Sequence, residues 1–170
     1  MNDGMYRENI LDHYKKPHHH GKMMDASCSG HAINPFCGDD ITFYLKMKEG
    51  VVSDTSFDGH ACAICTASAS MLADEMKGKG TEKARAVGKE RVLELLGIAP
   101  GPMRLKCALL PLKAFKLALY SHLGKKMGEK EKREIDEADD GTAGQAADEE
   151  TGENSAEKAG KGAANGKVSK

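Results

Sequence analysis

Three segments carry thiols in settings suited to metal: Asn34-Pro35-Phe36-Cys37-Gly38-Asp39, Gly59-His60-Ala61-Cys62-Ala63-Ile64-Cys65 and Arg104-Leu105-Lys106-Cys107. Cys37 and Asp39 stand two apart across a glycine. Cys62 opens a helix-like stretch, and Cys107 opens another after a Gly-Pro segment. At a loop edge or helix start, free backbone N–H groups and the helix dipole favour a thiolate, the form that binds metals and carries sulfur. Cys37, Asp39, Cys62 and Cys107 together offer four anionic donors, a set that suits zinc or iron in tetrahedral coordination. Their spacing leaves the metal open. It excludes a zinc ribbon, because Cys62-x-x-Cys65 is the only C-x-x-C. It also excludes a thioredoxin-type site, because that pair follows a hairpin pattern and not the first strand of a βαβ unit. Two readings stand: a functional metal or sulfur site, or a purely structural zinc.

The elements that must position these donors follow from periodicity. Tyr6, Ile10, Leu11 and Tyr14 share a helical face, and Pro17 stops that helix just after Lys16. The His18-His19-His20 run reads as a solvated loop in preference to a metal site. Ile41, Phe43, Leu45 and Met47 alternate with Thr42, Tyr44, Lys46 and Lys48, the period of a strand with one buried face. Glu49-Gly50 turns the chain, residues 51–57 return, and residues 30–33 supply a third strand before the Asn34-Pro35 break. The pattern then becomes helical, with Ile64, Ala67, Met71 and Leu72 facing one way before Lys77-Gly78-Lys79-Gly80. Thr81 is expected to cap the next helix. Val92 to Leu96 form a further apolar turn that Ala99-Pro100-Gly101-Pro102 breaks. A last helix is expected from Cys107 to Leu123, with Pro111 in its first turn. The predicted fold is α+β: a small antiparallel three-stranded sheet, helices packed on one face, an N-terminal helix and a disordered C-terminal tail.

Composition sets the domain boundary. From Glu129 onward the only large apolar residues are Ile135 and Val168, among 12 acidic and 7 basic residues. Such a segment cannot bury enough surface to offset its ordering entropy. Residues 1–128 are therefore assigned to one domain and 129–170 to an acidic low-complexity tail. Without the tail the chain has 14 acidic and 18 basic residues, a mild basicity that the overall net charge of −1 hides. Nucleic acid is poorly supported as a partner, because the lysines are scattered and the aromatics lie in apolar patterns. No run approaches the roughly 18 apolar residues of a membrane span, and the N-terminus is polar, so a cytoplasmic protein is expected. Five cysteines in a reducing compartment point to metal or sulfur chemistry over disulfides.

Several motifs carry a resemblance to a known family. They are Tyr6-Arg7 through Asp12-His13-Tyr14-Lys15-Lys16-Pro17, then Asn34 to Asp39, then Phe57-Asp58-Gly59-His60-Ala61-Cys62 running into Ala67-Ser68-Ala69-Ser70-Met71. Lys77-Gly78-Lys79 and Lys106-Cys107-Ala108 complete the series. In this order they resemble the U-type iron–sulfur cluster assembly scaffolds, a family that includes the IscU and SufU types and the N-terminal domain of NifU. The resemblance spans about residues 5–123. It implies a scaffold that is not an enzyme, on which a cysteine desulfurase delivers sulfur and iron is added. A transient [2Fe–2S] cluster is then built for transfer to apo-proteins or carrier proteins. Cys37, Asp39, Cys62 and Cys107 match the family's liganding positions, with Cys107 and Cys62 as sulfur-accepting candidates. A carboxylate among thiolates is a harder and more labile donor for iron than a fourth thiolate, which suits a site that must release its cargo.

The chain departs from that pattern in four places. IscU-type members place a histidine directly before the last cysteine, whereas this chain has Lys106, as SufU-type members do. Lys106 is read as a charge partner of the Cys107 thiolate. The length from Lys79 to Cys107 is IscU-like, so the chain is a hybrid of subtypes. The SufU resemblance implies the alternative function, a zinc-dependent sulfur acceptor that activates a cysteine desulfurase, with zinc as the occupant. Cys65 stands where the family has a small residue and reads as a small buried residue, with an optional role as ligand or sulfur relay one helical turn from Cys62. Cys28 reads as a loop bystander, and His60 as a solvated strand-end histidine. Pro100-Gly101-Pro102-Met103-Arg104 lacks the Leu-Pro-Pro-Val-Lys signal that recruits an Hsp70-type chaperone, so that partner is not expected.

Overall fold

The strand period of residues 41–48 is realised in a computed structural model that describes residues 3–136. Helix α1 (Asp3–Lys15) precedes the strands β1 (Cys28–Asn34), β2 (Asp39–Lys48) and β3 (Val51–His60). These form one antiparallel sheet in the order β1-β2-β3. Helices α2 (Ala63–Met76), α3 (Thr81–Ala86), α4 (Lys89–Leu96), α5 (Pro102–His122) and α6 (Glu129–Asp136) follow. The α+β architecture is the one expected, and strands alternate exposure as a sheet covered on one face must. Ile41, Phe43 and Leu45 are buried, while Thr42 and Tyr44 between them are half-buried.

The covering layer is α5 and α2. Phe43 meets Phe115 of α5 edge-on with ring centroids 5.6 Å apart and stacks beside Phe57 at 6.2 Å. Burial of each such ring contributes about 2–3 kcal/mol. Gly30 lets β1 lie directly on α5, because a Cβ there would sit 2.2 Å from the Ala114 carbonyl oxygen and 2.4 Å from the Ala118 nitrogen. The β2–β3 hairpin turns on Glu49 and Gly50, both with positive φ, between the paired Lys48 and Val51. The outer edge of β3 is partly covered. Phe57 N–H donates to the His19 carbonyl at 2.9 Å, Gly21 N–H to that of Phe57 at 2.8 Å, and Val52 N–H to that of Lys79 at 2.9 Å.

Three expectations are corrected. Gly80, not Thr81, is the N-cap of α3, and the Thr81 hydroxyl instead donates to the Gly50 carbonyl at 2.7 Å. The last helix starts at Pro102, not Cys107. The Gly101-Pro102 pair that reads as a breaker is a start signal, since proline at the first helical position has no N–H to leave unsatisfied. Pro111 consequently lies inside α5, where it gives no N–H to the Cys107 carbonyl. It is tolerated because it is buried in packed surroundings that override local propensity.

The segment read as tail from Glu129 is helical over Glu129–Asp136, and residues 137–170 lie outside the described residues. Helix α6 forms because Lys116, only 3 % exposed, needs an anion: Glu131 supplies it at 2.5 Å and also accepts from Tyr120 at 2.5 Å. Among the described residues, no helix is long and apolar enough to cross a membrane.

Candidate metal centre

The β1–β2 turn carries the first donors. Gly38 N–H donates to the Asn34 carbonyl at 2.9 Å, closing the turn, and the Asn34 side chain accepts from Phe36 N–H at 3.1 Å. Gly38 has φ 71°, a left-handed conformation that glycine adopts without strain. This turn holds Cys37 out on the surface and sets Asp39 as the first residue of β2, where it is buried.

Helix α5 brings Cys107 to the same place. Its Sγ lies 3.0 Å from Cys37 Sγ, and Cys37 in turn donates to Asp39 Oδ2 at 3.2 Å. Cys37, Asp39 and Cys107 thus offer donor atoms within 4.8 Å of one another, from segments some 70 residues apart in sequence. Cys62 is the exposed N-cap of α2. Its backbone N–H donates to Asp39 Oδ1 at 2.8 Å, so one carboxylate ties the Cys37 turn to the start of α2. The Cys62 sulfur itself lies outside the close group. Cys65 is fully buried in the core and is also outside it.

Electrostatics differ among the thiols. Burial, reinforced by the hydrogen bonds to Cys37 and Asp39, pushes the Cys107 thiol well above the ordinary range. The thiolate expected there from a helix start is not favoured, because α5 begins at Pro102 and the helix-end field fades within the first turn. Burial likewise pushes Cys65 up, with the charges of Asp39, Cys62 and Cys37 adding to it. Cys28, read as a loop residue, is the first residue of β1, and burial raises its thiol to about 11. Lys106 directs its Nζ over the Phe36 ring, 3.9 Å from the centroid, at the flank of the Cys37 turn. His60 ends β3 exposed, paired in the sheet with Asp40.

Two thiols and a carboxylate suit zinc or iron, with Cys62 as the nearby fourth candidate. A cation would draw Cys107 into its thiolate form and release the proton that burial retains. One contributor was not singled out from sequence. Asn34, buried, directs its Nδ2 to Cys107 Sγ at 3.7 Å while its carbonyl shapes the turn. Its position before a proline in a Gly-containing turn was the available signal.

Comparison with known proteins places the chain in a family. The family model described as NifU-like N terminal domain matches residues 5–129. The chain is 37 % identical over 139 residues to the zinc-dependent sulfurtransferase SufU of Bacillus subtilis, covering 72 % of this chain and 94 % of that one. It is 34 % identical over 121 residues to the iron–sulfur cluster assembly scaffold protein IscU 1 of Archaeoglobus fulgidus, covering 71 % and 78 %. Among solved structures, a candidate iron–sulfur cluster assembly scaffold for the SUF system from Fervidobacterium islandicum AW-1 superposes with a TM-score of 0.60. That pair is 28 % identical and covers 69 % of this chain and 98 % of the other. With the matched region spanning the sheet, α2 and the helix that carries Cys107, the chain belongs to the U-type iron–sulfur scaffold family built on the NifU-like N-terminal domain.

Proposed function

We propose that the protein is an iron–sulfur cluster assembly scaffold. It takes sulfane sulfur from a cysteine desulfurase, binds iron and, with an external two-electron reductant converting each sulfur to sulfide, builds a transient [2Fe–2S] cluster on Cys37, Asp39, Cys62 and Cys107 for transfer to apo-proteins or carriers, acting in the cytoplasm. The observation that carries this reading is the convergence of Cys37, Asp39 and Cys107 from distant segments. A structural zinc alone would not call for a buried carboxylate that also fixes the start of α2.

Cys62, exposed, is the first sulfur acceptor in this reading. Its thiolate attacks the outer sulfur of the desulfurase persulfide, forming a new S–S bond on Cys62 while the desulfurase cysteine leaves as thiolate. Cys107, buried and held protonated, joins when a cation displaces its proton. Asp39, the harder donor, makes the site easier to empty.

Two features favour a second reading. Lys106 precedes Cys107, as in SufU-type members, and the chain shares 37 % identity with a protein named a zinc-dependent sulfurtransferase. In that reading zinc occupies the site, and a cysteine released from it accepts the persulfide. Anaerobic reconstitution with iron and sulfide separates the two. The scaffold reading expects a brown protein with acid-labile sulfide matching its iron. A colourless protein that keeps tight zinc, and raises desulfurase turnover only while Cys107 is present, gives the role to the second.

A further inference from the structure

The His18-His19-His20 run leaves His18 and His20 exposed, as its sequence suggests, but it is not a free loop. It folds onto the end of α2 remote from the cysteines, beside α1. His18 Nδ1 lies 2.7 Å from Asp74 Oδ2, and His19 Nε2 lies 3.1 Å from the other oxygen of the same carboxylate. His13, on α1, packs its ring against that of His18 with centroids 4.6 Å apart. Its Nδ1 is hydrogen-bonded to Ser70 Oγ at 2.8 Å, and the same hydroxyl accepts from His18 N–H at 2.8 Å.

We infer that His13, His18 and Asp74 form a second metal site, separate from the cysteine centre, for a divalent cation of the zinc class. One ring nitrogen from each histidine and one Asp74 oxygen lie within 4.8 Å of one another. Two imidazoles and a carboxylate are the donors that borderline cations such as Zn2+ select. The ligands come from three separate pieces of chain, and their partners are already in place. Ser70 orients His13 and the His18 backbone, while His19 holds the second Asp74 oxygen, the arrangement by which outer-shell groups fix metal ligands.

His18 and Asp74 are about half exposed, which leaves an entry path and room for a water ligand. Asp74 lies twelve residues beyond Cys62 along α2, about 18 Å of helix rise, so one ion cannot serve both sites. A simple histidine–aspartate surface pair explains His18 but not the packing of His13 against the His18 ring or the contact that His19 makes to the second Asp74 oxygen. The expected consequence is mechanical: a bound cation fastens the end of α1 and the following loop to α2.

Titration of the full, reduced chain with Zn2+ against a chromophoric chelator tests the site. The expectation is two bound ions per chain, of which one persists in a Cys37→Ser, Cys62→Ser variant and shows no thiolate-to-metal band when Co2+ replaces Zn2+. Asp74→Asn, at an exposed position, and His13→Gln should each weaken that ion by about 10-fold or more and abolish the rise in melting temperature it causes. The same titration on the intact chain carrying Asp74→Asn, with Co2+ bands marking the cysteine site, gives the answer should the cysteine variant fail to fold. One ion per chain in the parent overturns the inference. So does a second ion whose affinity is unchanged in Asp74→Asn and His13→Gln, since the histidine run alone would then be binding it.

Discussion

Among the thiols, burial decides reactivity. Cys62 and Cys37 are exposed, Cys107 and Cys65 are buried with raised pKa values, and Cys28 sits near 11. Since only the thiolate attacks an alkylating agent, metal-free protein treated with iodoacetamide at pH 8 should label first at Cys62 and Cys37. Cys28, whose thiol burial raises to about 11, should lag behind them. Site-resolved mass spectrometry reads this order, and early labelling of Cys107 would contradict its assigned protonation. Asp39 has two jobs, as candidate ligand and as the tie between the Cys37 turn and Cys62 N–H. Asp39→Ala should slow loss of a reconstituted cluster to a chelator, and unchanged or faster loss would remove Asp39 from release. Motif spacing revealed these residues. Cys65 lies in the core, as a free cysteine read as a small buried residue should.

The elements that set the site depend on two contacts. Gly30 is where β1 meets α5, the helix that delivers Cys107. Gly30→Ala should cost about 3 kcal/mol in urea unfolding, because a new methyl would press on helix backbone that cannot move aside. The second contact is Glu131 with Lys116. Burial works against the Glu131 carboxylate, but Lys116, Tyr120 and Arg85 outweigh it and hold its pKa below the ordinary 4.5. A depressed folded value means that the contribution is present above the unfolded pKa and lost as pH falls through the folded one. Docking of α6 should thus be intact at neutral pH and weaken as the pH falls below the ordinary carboxylate range. Glu131→Gln should remove that part of the acid dependence and lower stability at pH 7 by about 2 kcal/mol. Melting temperature against pH for the two proteins checks the sign. Strand periods were legible in the sequence, since alternation marks a half-buried sheet directly. The start of α5 was not, because Gly101-Pro102 signals a helix beginning as readily as a break.

For the molecule as a whole, the domain boundary is the open quantity. Composition divides the chain after Gly128, whereas α6 extends ordered contacts to Asp136. A chain ending at Asp136 should melt as the full chain does and reconstitute equally well. One ending at Gly128 should melt roughly 5–10 °C lower, because Lys116 and Tyr120 would lose the Glu131 carboxylate and the cover that α6 provides. Equal melting of both would place the boundary at Gly128.

The sequence by itself determined the fold class and the donor types, because strand alternation, helical period and cysteine-bearing motifs are local properties. Only the tertiary structure decided which donors meet. Cys37 and Cys107 lie 70 residues apart, and His13 and Asp74 lie on different helices. The structure also set each thiol's protonation, since burial is fixed by packing and not by neighbours in sequence.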